Sequence, residues 1–212
     1  MLNNIRTIII LNGDVVPNAI FRKFYKKGDY IICADGGANT AKKYRILPNI
    51  ILGDLDSITN SNLSFYRKKG VEIRKITEQE TTDFEKALMY VVAFNLENVI
   101  VFGAISGRPD HTMNNFSVMK RYSKVLDIKI IDRKFEVFYL KKKLERDYAK
   151  NKVVSFLGFP AAYGVTTKGL KYKLDNETLE FGVREGTLNV SSSKKIMIEK
   201  KRGNLLVFLS HF

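Results

Sequence analysis

The feature that most constrains the fold is a pattern repeated through the first 132 residues. A short run of Ile and Val ends in Gly or Asp, and a stretch compatible with a helix follows. Several runs, such as Thr7 to Leu11, are apolar at consecutive positions, which is typical of parallel strands covered on both faces. The pattern predicts an α/β domain with a doubly wound, mainly parallel sheet and helices on both faces.

The predicted elements divide the chain into two parts. In the first part, the predicted strands are 7–11, 30–34, 50–52, 71–76, 99–102 and 128–131, and the predicted helices are 17–27, 39–45, 61–69, 83–95 and 114–126. In the second part, the predicted strands are 135–140, 153–156, 169–174, 187–190, 196–199 and 205–209. Short strands with turn residues between them indicate an all-β sandwich or barrel. We therefore expect two domains, residues 1–132 and residues 133–212.

Composition excludes several classes of protein. The net charge is 36 − 22 = +14, and the residues after Asp132 contribute 17 − 8 = +9 of it. A basic chain can bind polyanions, but no nucleic-acid recognition motif accompanies the charge, so we expect no nucleic-acid partner. No apolar run reaches the roughly 18 residues of a membrane span, and no signal peptide is recognised. A single cysteine, Cys33, cannot form an intrachain disulfide, which favours a reducing cytoplasm.

Polar residues follow the predicted strands of the first part. In open α/β sheets, ligands bind at the carboxyl ends of the strands, where these residues converge. The segments are Asn12-Gly13-Asp14, Asp35-Gly36-Gly37-Ala38-Asn39, Gly53-Asp54-Leu55-Asp56-Ser57, and Gly103-Ala104 with Gly107-Arg108-Pro109-Asp110-His111. No P-loop motif is present, and no Gly-x-Gly-x-x-Gly follows the first strand, which argues against a P-loop NTPase and a dinucleotide dehydrogenase.

Two carboxylates at positions i and i+2, Asp54 and Asp56, can share a hard cation. An Asx turn or a helix cap explains this pair about as well. Asp35 and Asp83 are predicted near the same sheet edge, where gathered negative charges repel unless a cation neutralises them. Oxygen ligands beside a phosphate site favour Mg²⁺.

The starts of two predicted helices carry further candidates. Thr82 and Asp83 are explained structurally as an N-cap and a first-turn acid, while Asp83 and Lys86 could also face a phosphate at the helix start. Arg108 suits bidentate phosphate binding, and His111 could contact a phosphate or a base.

Together these segments resemble the thiamine pyrophosphokinase family over nearly the whole chain. Four motifs carry the resemblance in the first part: the segments 35–39, 53–57, 82–88 and 107–111 with Asn114-Asn115. In the second part, Thr166-Thr167-Lys168-Gly169-Leu170-Lys171-Tyr172 with Leu174 is similar to a T-x-G-L-K-Y-x-L segment of the family, and Gly186-Thr187-Leu188-Asn189 to its G-x-S-N. Leu188 stands where the family has a serine, and the chain has no Trp to stack on thiamine.

The resemblance implies an ATP- and Mg²⁺-binding α/β domain, a β-sandwich, and a homodimer with thiamine sites between subunits. The implied reaction transfers a pyrophosphoryl group from ATP to the hydroxyethyl group of thiamine, which gives thiamine diphosphate and AMP.

The resemblance also implies roles for individual residues. The catalytic residues are Asp54, Asp56, Asp83 and Arg108, of which the three aspartates bind Mg²⁺. The ATP-binding residues are Asn12, Gly13, Asp35, Gly36, Asn39, Lys86, Arg108, Asp110, His111 and Asn114. The thiamine-binding residues are Lys168, Thr187, Leu188 and Asn189.

Two other functions stay open on sequence alone. One is a pyrophosphokinase that acts on another alcohol, such as a hydroxymethylpterin. The other is a basic nucleic-acid-binding module that uses the second part of the chain.

Overall fold

The computed structural model describes residues 5–211 of the chain. These residues form two compact units, one ending at Arg133 and one beginning at Lys134. The first is a mixed α/β unit with a mostly parallel sheet, and the second consists of antiparallel strands, as the sequence predicted at this level.

The first unit alternates strands and helices along the chain. Its elements are β1 (Arg6–Ile10), α1 (Asn18–Phe24), β2 (Tyr30–Ala34), α2 (Gly37–Lys43), β3 (Ile50–Gly53), α3 (Asn60–Lys68), β4 (Glu72–Lys75), α4 (Asp83–Ala93), β5 (Glu97–Phe102), α5 (Pro109–Tyr122) and β6 (Ile128–Ile131). The strands are ordered β4-β3-β2-β1-β5-β6, and each neighbouring pair is parallel. Because all six point the same way, the residues after each strand meet at one edge of the sheet.

Apolar residues at consecutive positions form the core of this unit. Ile8, Ile9 and Ile10 are all fully buried in β1, which explains why the strand reads as a continuous apolar run. The core includes aromatic contacts from α1, since the ring of Phe21 stacks on Tyr44 with centroids 4.2 Å apart.

Helix α5 begins five residues earlier than predicted, at Pro109 instead of Asn114. Arg108 has extended backbone, and Pro109 follows at the first helical position, where its missing N–H costs no hydrogen bond. The polar sequence of this turn resembles a loop, so the prediction was wrong about where the helix starts.

The second unit is built around one long strand. Its elements are β7 (Phe135–Leu140), β8 (Lys143–Asp147), β9 (Val153–Lys168), β10 (Glu177–Glu180), β11 (Gly186–Val190), β12 (Lys195–Glu199) and β13 (Arg202–Ser210). β9 pairs antiparallel with β10, β11, β12 and β13, while β13 also pairs with β7 and β12 with β8.

The strand predicted at 169–174 is wrong. Gly169 adopts a positive φ of 75°, which turns the chain out of β9. The following amides bond individually: Lys171 donates to the Val190 carbonyl at 2.8 Å, and Leu174 donates to the Thr167 hydroxyl at 3.0 Å. β8 and β10 were not predicted, because their charged sequences lack an apolar run.

Candidate active site

A cavity of about 810 Å³ lies in the first unit, where loops follow the parallel strands. The residues that line it come from the five connections that follow β1 to β5 and from the starts of α4 and α5. They are Leu11, Asn12, Gly13, Asp35, Asp54, Asp56, Ser57, Gln79, Thr81, Thr82, Asp83, Phe84, Lys86, Gly103, Ser106, Gly107, Arg108, Asp110, His111, Asn114 and Asn115. The cavity is therefore a polar site at the sheet edge where the sequence predicted ligand binding.

Three carboxylates meet in this cavity. One oxygen each of Asp35, Asp54 and Asp83 lies within 4.8 Å of the others, so the three could hold one metal ion. Burial raises the pKa of Asp83, opposed by nearby Lys86 and reinforced by the charges of the neighbouring aspartates. A divalent cation would relieve this repulsion.

A glycine permits the close approach of these carboxylates. Gly53 ends β3 with a φ of +135°, which favours glycine. A Cβ there would lie 3.0 Å from the Cβ of Asp35 and 3.2 Å from Oδ1 of Asp83. Asp56 is exposed in the same loop and accepts a hydrogen bond from the Ser57 hydroxyl at 2.9 Å.

Helix α4 delivers a buried cation beside the carboxylates. Thr82 caps the helix, accepting a hydrogen bond from the Glu85 amide at 3.4 Å. One turn later, Lys86 is only 6% exposed, and its Nζ lies 3.8 Å from Oδ1 of Asp83. The interpretation of Thr82 as an N-cap is therefore compatible with a functional role for Asp83 and Lys86. The cap fixes the start of the helix, and from there both side chains reach the cavity.

The start of α5 contributes a second cation. The Arg108 guanidinium donates to both carboxylate oxygens of Asp110, at 3.3 Å and 2.6 Å. These hydrogen bonds lower the pKa of Asp110 to about 2. His111 and Asn114 are exposed on the first turns of the helix and line the cavity. An anion could therefore meet Arg108 and His111 at this helix start.

The loop after β1 is packed tightly against its neighbours. The Gly13 amide donates to the Gly103 carbonyl at 3.0 Å. Asn12 lies against Gly36, where an added Cβ would come within 2.3 Å of the Asn12 side chain. Asn12 and Gly13 line the cavity, whereas Gly36 and Asn39 are not among its lining residues.

The predicted thiamine residues lie in the second unit. Asn189 is 4% exposed; its Oδ1 accepts from the Tyr172 amide at 3.0 Å, and its Nδ2 donates to the Tyr172 carbonyl. Leu188 is 75% exposed with a φ of +56°. Lys168 and Thr187 are also exposed. Asn189 thus fixes the backbone of Tyr172, while Lys168, Thr187 and Leu188 lie at the surface of this unit.

Several cavity residues were not singled out by the sequence. Gln79 and Thr81 come from the β4–α4 connection, and Ser106 from the β5–α5 connection. Their only signal is position, because each lies within a few residues of a strand end or a motif.

Comparison with known families decides the class of enzyme. The model for "Thiamin pyrophosphokinase, catalytic domain" matches residues 21–131, and the model for "Thiamin pyrophosphokinase, vitamin B1 binding domain" matches residues 141–205. The chain belongs to the thiamine pyrophosphokinase family. Its enzymatic activity is therefore transfer of a pyrophosphoryl group from ATP to thiamine, and the other acceptors and the nucleic-acid module are set aside.

Curated relatives with the same activity in their names come from distant organisms. Thiamine pyrophosphokinase 1 of Arabidopsis thaliana is 29% identical over an alignment of 200 positions, which covers 79% of this chain and 73% of the relative. Thiamin pyrophosphokinase 1 of Caenorhabditis elegans is 27% identical over an alignment of 225 positions, which covers 94% of this chain and 86% of the relative.

Solved structures of thiamine pyrophosphokinases share the fold. The Bacillus subtilis structure has a TM-score of 0.86 at 23% identity and covers 97% of this chain and 99% of its own. The yeast structure has a TM-score of 0.84 at 22% identity and covers 99% of this chain and 87% of its own. Within residues 5–211, no helix is both long and apolar enough to span a membrane.

Proposed function

We propose that the cavity of the first unit binds ATP with Mg²⁺ and that thiamine is pyrophosphorylated there. The observation that carries this proposal is the meeting of Asp35, Asp54 and Asp83 in one cavity with Lys86 and Arg108. Carboxylates and cations that line one cavity of this size suit a metal-bound polyphosphate, because the metal binds the carboxylates and the phosphate oxygens bind the lysine and the arginine.

The donor set fits Mg²⁺. The ligands are carboxylate oxygens only, without His or Cys, and they include half-buried Asp54 and Asp83. Asp54, Asp56 and Asp83 would hold the ion directly or through water. When bound, the ion neutralises phosphate charge and the charge that develops on the leaving oxygen.

The other cavity residues bind and orient the nucleotide. Arg108, Lys86 and His111 contact phosphate oxygens, and Asp110 fixes the Arg108 guanidinium. The nucleotide pocket is lined by Asn12, Gly13, Asp35 and Asn114. Gly36 and Asn39 support it from outside the lining, Gly36 through Asn12 and Asn39 through residues 57–59. Most of the rate enhancement comes from positioning and from charge neutralisation, as is general in phosphoryl transfer.

The chemical step forms one bond and breaks one. The hydroxyl oxygen of thiamine bonds to the β-phosphorus, and the bond from that phosphorus to the oxygen bridging to the α-phosphorus breaks. The hydroxyl proton passes to a carboxylate, for which Asp83 is our candidate, and AMP leaves with the bridging oxygen.

The second unit serves thiamine binding in this proposal. Residues 133–212 form a β-sandwich domain that presents Lys168, Thr187, Leu188 and Asn189 to thiamine, and residues 1–132 form the doubly wound nucleotide domain. The match of residues 141–205 to a vitamin B1 binding domain supports this division. We further propose a homodimer with active sites between subunits, in a reducing cytoplasm.

The carboxylate assignment is tested by one pair of variants. Asp54→Asn removes a proposed ligand, and Asp14→Asn removes a charge from an exposed position beside the same sheet edge that does not line the cavity. We expect Asp54→Asn to lower kcat by at least about 100-fold while the far-UV circular dichroism is unchanged. Asp14→Asn should stay within about threefold of wild type, since exposed charges contribute little. Near-normal turnover by Asp54→Asn would contradict the assignment.

A further inference from the structure

The loop that carries Asp54 and Asp56 is held by two side chains from elsewhere in the unit, Asp35 just after β2 and Asn39 in the first turn of α2. The carboxylate of Asp35 accepts the Ser57 amide at 3.2 Å and 3.1 Å through its two oxygens, and it accepts the Ile58 amide at 3.3 Å. Asp35 is 2% exposed and lies just after β2, with a φ of +43°. The backbone of Asp35 thus has an uncommon conformation, and its buried carboxylate hydrogen-bonds the backbone of residues 57–58.

Asn39 continues the same set of contacts. Its Nδ2 donates to the Ser57 carbonyl at 2.9 Å, and its Oδ1 accepts the Thr59 amide at 3.1 Å. The same Oδ1 accepts from Nδ2 of Asn62, at 2.9 Å, in the first turn of α3. Both polar atoms of the Asn39 side chain are thus occupied, and Asn39 is not among the residues that line the cavity.

Together the two side chains bond four backbone groups over three consecutive residues. These groups are the amides of Ser57, Ile58 and Thr59 and the carbonyl of Ser57. The segment 54–59 lies between β3 and α3. Thr59 is the N-cap of α3, but neither a sheet ladder nor a helix fixes the path of residues 54–58. Backbone groups in such a segment need partners from elsewhere, and here Asp35 and Asn39 supply them.

We infer that Asp35 and Asn39 are positioning residues that set the path of the 54–59 loop and so aim Asp54 and Asp56 at the metal. This inference rests on the proposed function. Asp35 acts through the amides of Ser57 and Ile58, although one of its carboxylate oxygens also lies within 4.8 Å of carboxylate oxygens of Asp54 and Asp83. Asn39 acts through the loop alone and needs no contact with ATP.

Asn39→Ala tests the inference without removing a carboxylate. The matched control is Asn49→Ala, because Oδ1 of Asn49 likewise accepts a backbone amide, that of Ile31 at 2.8 Å. This contact lies near the starts of β2 and β3, at the opposite ends of the strands from the cavity. We expect Asn39→Ala to raise the Mg²⁺ concentration for half-maximal activity by about tenfold or more, since a displacement of about 1 Å is costly in an active site. The KM for thiamine should stay within about twofold, and Asn49→Ala should leave both values near wild type.

Hydrogen exchange gives a readout independent of activity. In Mg²⁺-free buffer, Asn39→Ala should speed exchange of the Thr59 amide, and Asp35→Ala, which removes both acceptor oxygens, should speed exchange of the Ser57 and Ile58 amides. Asn49→Ala should change neither. If Asn39→Ala does not fold, the exchange of Asp35→Ala still tests the inference. The inference is overturned if exchange at 57–59 stays at wild-type rates, or if it rises while the Mg²⁺ dependence of Asn39→Ala is unchanged. A wild-type enzyme without Mg²⁺-dependent turnover would instead refute the proposed function.

Discussion

Replacing Gly13 by alanine tests how closely the cavity walls must be packed. Gly13 follows β1, and its amide bonds the Gly103 carbonyl after β5. A Cβ at this position would lie 2.1 Å from the Gly103 oxygen and 2.8 Å from the Ile105 oxygen. Both are backbone atoms, so no flexible side chain can move aside.

The size of the displacement follows from these distances. Real Cβ contacts are essentially never shorter than 3.0 Å, so the two loops must separate by at least 3.0 − 2.1 = 0.9 Å. Overpacking of this kind costs about 1–3 kcal/mol of unfolding free energy. Both loops line the cavity. We therefore expect Gly13→Ala to lower kcat/KM for ATP by about 100-fold, the order expected for a 1 Å misplacement.

The assay compares steady-state kinetics and urea unfolding for Gly13→Ala and Gly107→Ala. Gly107 lies in the same cavity wall, but a Cβ there would meet no atom within 4 Å. Gly107→Ala should therefore have a much smaller effect on both measurements. Equal kcat/KM values for the two variants would refute the argument from backbone packing.

Three further predictions concern the first unit. Cys33 is fully buried, and burial raises the pKa of its thiol, so Ellman's reagent at pH 8 should label it only after denaturation; labelling of native protein at the denatured rate would be inconsistent with this. Arg108 hydrogen bonds hold the pKa of Asp110 at about 2, so the pairing favours the folded state above the ordinary pKa and is lost as the pH falls toward 2. Carboxyl NMR titration of Arg108→Met should return that pKa to about 3.9, and an unshifted midpoint would argue against the pair. Phe102→Ala, at a 1% exposed position, should lower the unfolding free energy by about 3–5 kcal/mol, whereas Phe94→Ala, at 41% exposure, should cost far less in the same urea titration.

The parallel sheet was predictable because its signal is local. Consecutive apolar residues in β1, β2 and β3 mark buried strands, and the helical stretches between them imply parallel connections. Element ends were less predictable. Arg108 and Pro109 start α5 in a sequence that is equally typical of a loop, and β9 continues for 16 residues through Gly158 and Pro160, residues that usually interrupt strands.

In the candidate site, too, some features could be predicted from the sequence and others could not. Parallel topology brings the residues after β2 and β3 to one edge, so the proximity of Asp35 and Asp54 follows from the order of elements. Which hydrogen bonds each side chain makes there depends on the positions of backbone groups. The types of the residues do not specify those positions. The amides that engage Asp35 and Asn39, and the pairing of Asn189 with Tyr172, are visible only in the folded chain.

The most direct test of the central claim is to follow the label from ATP carrying ³²P in its β-phosphate, with thiamine and Mg²⁺, using purified wild-type protein. The proposed chemistry predicts labelled thiamine diphosphate and an equal amount of unlabelled AMP, with no product when thiamine or Mg²⁺ is omitted. Formation of labelled ADP in place of AMP, or AMP release that does not depend on thiamine, would contradict it.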